Sequence, residues 1–229
     1  MEKIRIDKIL SKSGFGSRND AKTIIKKGRV SVDGKTIRSA NDKAEPDKVF
    51  VDGVKVNYKE FIYIILHKPQ GVVSATDDNV HTTVIDLIDE KYYTYEPFPV
   101  GRLDIDTEGL LLITNDGQLG HNMLSPKKHV DKTYFTRLLN PLSAEDKEKI
   151  EKGVDIGGYV TQPCNIEILD DGVNITIHEG KFHQVKKMFE AVGNKVVYLK
   201  RISFGPLTLP EDLPIGEYRE ISREDIMFE

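Results

Sequence analysis

The chain has 229 residues, 38% of them hydrophobic and 31% charged, with a formal net charge of −4. That length suits one large domain or two unequal ones. No run of about 18 apolar residues occurs, which excludes a membrane-spanning helix, and a lone cysteine, Cys164, excludes an intramolecular disulfide.

The average charge hides an asymmetry: residues 1–58 sum to +6 and the remainder to −10. Such a division suggests that one part meets a polyanion while the other has a different task. MEKIRIDKIL is charged from its second residue and holds no secretory signal, so the expected compartment is the cytoplasm. Ile4, Ile6, Ile9 and Leu10 give a first short helix its apolar face. Ser17 then caps a second, with Asp20 completing a capping box and Gly28 at its end. Lys22, Lys26, Lys27 and Arg29 crowd the end of that helix as a cationic patch. VSVDGKTI (30–37) and VFVDGVKV (49–56) each alternate around Asp-Gly, a strong hairpin signal. The polar break at 57–60 divides a small αα-ββ domain, 1–58, from a larger one, 59–229.

In the second part, FIYIILHK (61–68) reads as a buried strand stopped by Pro69-Gln70-Gly71, and LLLIT (110–114) as another. KTYFTRLL (132–139) alternates like a strand, and Ser143 caps a helix running through about Lys152. CNIEIL and VNITIH form a hairpin across Asp170-Asp171-Gly172. KFHQVKKMFEAV (181–192) reads as a helix ended by Gly193, followed by the strand KVVYLKRI. Strands arrive as hairpins rather than in βαβ alternation. The expectation is an α+β fold, a mixed, mostly antiparallel sheet with flanking helices.

The most unusual stretch is VGRLDIDTEGLLLITNDG (100–117). Arg102, Asp104, Asp106 and Glu108 alternate along what reads as an extended segment, which would put them on one face. A carboxylate held beside a cation at the mouth of a sheet suits a nucleophile or general base; a polar loop with a local salt bridge gives the same pattern. The six histidines show no zinc-ligand spacing and there is no phosphate-binding glycine loop, so neither a metal nor a nucleotide cofactor is expected.

GRLDIDTEGLLLITNDG resembles the catalytic motif of the pseudouridine synthases, in the branch that includes the ribosomal small-subunit synthase A family. LHKPQGVVSATDD (66–78), DKTY (131–134) and EGKFHQVKKMFEAVGNKVVYLKRISFGPLTL (179–209) resemble its other motifs, in order. Arg5, Leu10, Ser17-Arg18, Ala21, Gly28 and the VSVDG turn resemble an S4 RNA-binding domain. The resemblance implies a uridine-to-pseudouridine isomerase that needs no cofactor. It makes Asp104 the catalytic aspartate, Tyr134 the active-site tyrosine, Lys186 the partner of the aspartate and Arg102 the residue that helps extrude the base. The aspartate would attack the sugar or the pyrimidine ring, or take a proton from the sugar. Asp106 takes a supporting place.

RNA contacts are expected from Arg5, Lys8, Ser17, Arg18, Lys22, Lys26, Lys27, Arg29, Lys132, His183 and Gln184. The expected partner is ribosomal RNA in a small-subunit assembly intermediate, met by a monomer with no membrane association. The chain ends on acidic REDIMFE rather than a basic extension, which favours 16S over 23S RNA. The alternatives are the same reaction on 23S RNA and a non-catalytic assembly factor.

Overall fold

In a computed structural model, residues 2–226 are described; the last three residues of REDIMFE lie outside them. Contacts divide the chain into two compact units. One runs to Ile62 and includes Asp89–Glu96; the other comprises Tyr63–Ile88 and the chain from Pro97 onward.

In the first unit, helices Ile6–Lys12 and Arg18–Lys26 pack over a four-stranded antiparallel sheet in the order 35–37, 30–32, 49–51, 54–55. Both Asp-Gly turns have positive φ at each residue (Asp33 49°, Gly34 76°; Asp52 49°, Gly53 80°), which matches the twist of the flanking strands. The Ser17 capping box forms as expected: Ser17 accepts from the Asp20 amide, and the Asp20 carboxylate accepts from the Ser17 amide at 2.9 Å. Ile4 departs from expectation. It lies in the two-residue strand Ile4–Arg5, paired with Lys43–Ala44, and the helix starts two residues later. Ile6, Ile9, Leu10, Ala21, Ile25, Val30, Val49 and Val51 form the core. Asp89–Glu96 belongs to this unit through Tyr95, whose hydroxyl donates to the Lys12 carbonyl.

The second unit is built on one sheet in the order 165–168, 173–177, 132–138, 196–204, 108–114, 63–68, 218–220. Neighbours are antiparallel with one exception: Val196–Phe204 meets Glu108–Thr114 in parallel through Lys200↔Glu108 and Arg201↔Gly109. Tyr63–Lys68 is buried along its whole length, which accounts for its unbroken apolar reading. Ser143 caps Ala144–Lys152 as expected. Two apolar clusters fill the unit. Tyr63, Ile65, Leu110, Leu112 and Phe204 anchor one; Tyr134, Ile175, Val185, Met188 and Phe189 anchor the other.

Two expectations fail locally. Residues 104–107 make a turn closed by the Thr107 amide on the Asp104 carbonyl at 3.0 Å, so the acidic residues do not alternate along an extended strand. The helix expected from Lys181 begins at Gln184, because His183 before it has a left-handed backbone with φ of 54°.

Candidate active site

Strands Val196–Phe204 and Glu108–Thr114 meet over two register pairs, Lys200↔Glu108 and Arg201↔Gly109. A cleft of about 820 Å³ is lined by Arg201 of that contact together with Arg102, Asp104, Asp106, Lys132, Tyr134, Lys186 and others. The expected catalytic residues therefore share one cavity although Asp104 and Lys186 are 82 positions apart.

Asp104 is 29% exposed and accepts from Lys186 Nζ at 2.9 Å. The same ammonium donates to Asp106 at 2.6 Å, but Asp106 is 64% exposed. The turn at 104–107 thus brings two carboxylates of the cleft onto one cation, Asp104 being the more sheltered. Burial pulls the Lys186 ammonium down; its hydrogen bonds to Asp106 and Asp104 reverse that and hold it above the ordinary lysine value. Burial pushes Asp106 up, and the hydrogen bond and charge of Lys186 more than offset this, holding it below the usual carboxylate range. His183 Nε2 lies 3.5 Å from Asp104. Glu108 faces elsewhere and accepts from the Tyr198 hydroxyl at 2.6 Å.

Tyr134 is buried in the wall of the cleft, on the same strand and face as Lys132. Lys132 Nζ donates to the Val130 carbonyl at 2.9 Å and lies 5.4 Å from the Phe204 ring. Burial, reinforced by the charge of Arg201, lowers it to about 8. Arg102 is exposed and lines the cleft.

Several supports were not singled out in the sequence. Lys68, fully buried, donates to the carbonyls of Pro69 (2.9 Å), Asp104 (3.1 Å) and Thr107 (2.9 Å), fastening both ends of the turn. Burial lowers it to about 8. Ser74 clamps the preceding residue, its hydroxyl donating to the Leu103 carbonyl at 2.9 Å and accepting from the Leu103 amide at 3.0 Å. Arg201, also buried, donates through Nε to the Leu110 carbonyl at 2.8 Å and stacks 4.8 Å from the centroid of Phe204. The available signal was the LHKPQGVVSATDD stretch, which contains both Lys68 and Ser74.

The other expected RNA-contact residues fare unevenly. Gln184 is buried and committed: it accepts from the Lys181 amide at 2.8 Å and donates to Glu179 at 2.7 Å, so it shapes the loop before its helix. Arg5 is paired with buried Asp7 at 2.7 Å and Arg29 with Asp52 at 2.5 Å, while Ser17 is spent on its cap. Arg18, Lys26 and Lys27 are exposed, and Lys8 and Lys22 half-buried. Cys164 is half-buried, its thiol pushed up to about 12 by burial. Among the described residues no group of three or more His, Cys, Asp and Glu is placed to hold a metal ion, and no helix is long and apolar enough to cross a membrane.

Residues 62–191 match the family model described as RNA pseudouridylate synthase, and residues 4–50 match that of the S4 domain. The chain is 51% identical over 231 residues to an uncharacterized RNA pseudouridine synthase of Bacillus subtilis, covering 97% of each chain. It is 41% identical to the ribosomal small subunit pseudouridine synthase A of Escherichia coli, covering 97% of this chain and 98% of that one. A solved structure described as a pseudouridylate synthase superposes with a TM-score of 0.68 at 36% identity over 97% of this chain and 98% of its own. With the motifs of 62–191 converging on one cleft, and an S4 domain preceding them in sequence at 4–50, the chain belongs to the RNA pseudouridine synthase family and is an isomerase acting on RNA.

Proposed function

We propose that this isomerase converts one uridine of small-subunit ribosomal RNA to pseudouridine, with Asp104 as the reacting carboxylate. The supporting observation is the sheltered Asp104–Lys186 pair at 2.9 Å in a cleft walled by Tyr134. The reaction breaks uracil N1–C1′, turns the base and forms C5–C1′. The C5 proton leaves and N1 gains one, so atoms balance without a redox partner. Lys186 holds the Asp104 carboxylate in place through its hydrogen bond. Tyr134 offers its ring to the uracil, and Arg102 at the mouth helps keep the uridine out of its stack.

The small-subunit assignment is supported by 41% identity to the synthase A enzyme over nearly the whole chain. Tritium release from C5-labelled uridine should occur with 16S transcripts or their assembly intermediates. Release from 23S RNA alone would overturn the assignment, and no release from either would overturn the activity.

Lys186→Met should lower turnover by about 10²-fold, the scale of losing one charged group that stabilises a reacting site. RNA affinity should stay within about twofold, because one cation is lost among many phosphate contacts. Lys186→Arg should keep part of the rate. Unchanged single-turnover rates in Lys186→Met would remove this residue from the site.

The division of labour proposed is that a domain spanning roughly 1–58 supplies affinity and 59–229 the chemistry. Arg5 and Arg29 are held by carboxylates, which leaves exposed Arg18, Lys26 and Lys27, with half-buried Lys22, as the proposed RNA-facing patch. Replacing Lys22, Lys26 and Lys27 with glutamine should flatten the salt dependence of binding by about 0.7 per lost contact on single strands. Turnover at saturating RNA should hold. Equal half-saturation at every salt concentration would return the patch to plain solvated surface.

A further inference from the structure

Phe182 is 73% exposed, although it lines the cleft that holds Asp104. Single exposed apolar residues are common and need no explanation. Phe182 differs from them in what it stacks on. Its ring lies 3.7 Å from that of His183, with an interplanar angle of 21°. His183 in turn places Nε2 3.5 Å from the Asp104 carboxylate.

The backbone makes this arrangement possible. His183 has φ of 54°, a left-handed conformation that few residues other than glycine adopt, and strain of this kind gathers at functional sites. Gln184 fixes the turn from the other side, accepting from the Lys181 amide and donating to Glu179. The result is a short column: carboxylate, imidazole, phenyl ring. Its last step has the spacing of stacked bases, and its outer end is open to solvent.

A cation lies beside that end. Lys187 Nζ is 5.2 Å from the Phe182 centroid, Lys181 Nζ sits 4.3 Å from the Tyr159 ring, and Arg102 lines the same cleft. A polyanion whose individual units carry flat rings is the chemistry that fits an exposed aromatic platform with a lysine beside it and an arginine in the same cleft. The family assignment supplies such a polymer as substrate, and a uridine drawn into the cleft leaves its neighbour in the strand without a stacking partner.

We propose that Phe182, backed by His183, is the platform on which the base adjoining the target uridine stacks while the uridine occupies the cleft. Phe182 is thus a positioning residue: it holds the opened strand and does not touch the reacting atoms. The inference rests on the reading that the Asp104 cleft receives the uridine.

The test uses a hairpin copied from the ribosomal segment around the uridine mapped by the tritium assay. 2-Aminopurine replaces the base on one side or the other of that uridine. Full-length Asp104→Asn protein should quench the probe at one of the two positions. Adding Phe182→Ala should abolish the quenching and weaken binding by about 5- to 150-fold, the equivalent of ~1–3 kcal/mol for loss of one stacked base. Phe182→Tyr and Phe182→Trp should restore both, whereas Phe182→Leu should not, which separates stacking from simple apolar contact. Undiminished quenching and affinity in Phe182→Ala, or full rescue by leucine, would overturn the proposal. If Asp104→Asn itself turned over normally, the reading of the cleft would fail instead, so the two failures are distinct.

Discussion

Replacing Asp104 with asparagine is expected to reduce turnover by about 10³-fold or more, while RNA affinity stays within about twofold. A group that takes part in bond making or proton transfer contributes typically 10²–10⁴-fold. The amide keeps the shape and can still accept from Lys186, so the fold has no reason to change. Asp106→Asn is the matched control. Asp106 hydrogen-bonds the same ammonium at 2.6 Å yet is 64% exposed, so it serves Lys186 from the solvent side. Its loss should cost less than about tenfold, comparable to an exposed ion pair. Single-turnover kinetics with each variant read the difference, and a near wild-type rate in Asp104→Asn would move the chemistry to another residue.

The second large effect is structural. Gly109 sits opposite Arg201 in the short parallel contact at the head of the cleft, with φ of 112°. A Cβ there would lie 2.5 Å from the Arg201 nitrogen and closer still to its carbonyl oxygen. Neither backbone atom can rotate away, so Gly109→Ala must push the two strands apart. The cost should be about 3 kcal/mol or more, from overpacking together with the unfavourable backbone angle. For a domain of this size that lowers the melting temperature of the catalytic unit by about 10 °C. Gly117→Ala is the comparison, because a Cβ there meets nothing within 4 Å. It should change stability by no more than about 0.5 kcal/mol. Equal melting curves for the two variants would show that the strand junction yields more easily than its geometry implies.

What the sequence disclosed and what it withheld follow from the range of each interaction. The Ser17 capping box, the two Asp-Gly turns and the Ser143 cap involve residues three or fewer positions apart, and each forms as read. The apolar runs at 63–68 and 110–114 became strands because burial on both faces imposes a continuous pattern. The turn at 104–107 was misread as extended because what bends it lies elsewhere: Lys68 grips the Asp104 and Thr107 carbonyls from 36 and 39 positions away. His183 likewise carries no local mark of its left-handed backbone, so the helix at Gln184 was placed three residues early. Asp104, Tyr134 and Lys186 were singled out through family motifs, and the fold places them in one cleft. Spacing alone does not bring residues 30 to 82 positions apart into one cleft. Arg5, Arg29 and Gln184 show the converse error, since composition counts their polar groups but not the partners that already hold them.

The sheet order also dictates when the enzyme becomes one object during its synthesis. Lys132–Leu138, carrying Tyr134, and Glu108–Thr114, following Asp104, do not pair with each other; in the described sheet Val196–Phe204 lies between them. A growing chain that has released everything up to about residue 190 holds two half-sheets and both motif residues, yet nothing zips the halves together. Once the keystone strand emerges, Tyr218–Glu220 closes the far edge against Tyr63–Lys68, roughly 150 positions earlier in the chain. Such long-range closures are late and slow steps in folding. Nascent chains of this protein therefore carry Asp104 and Tyr134 on separate half-sheets until Val196–Phe204 has emerged.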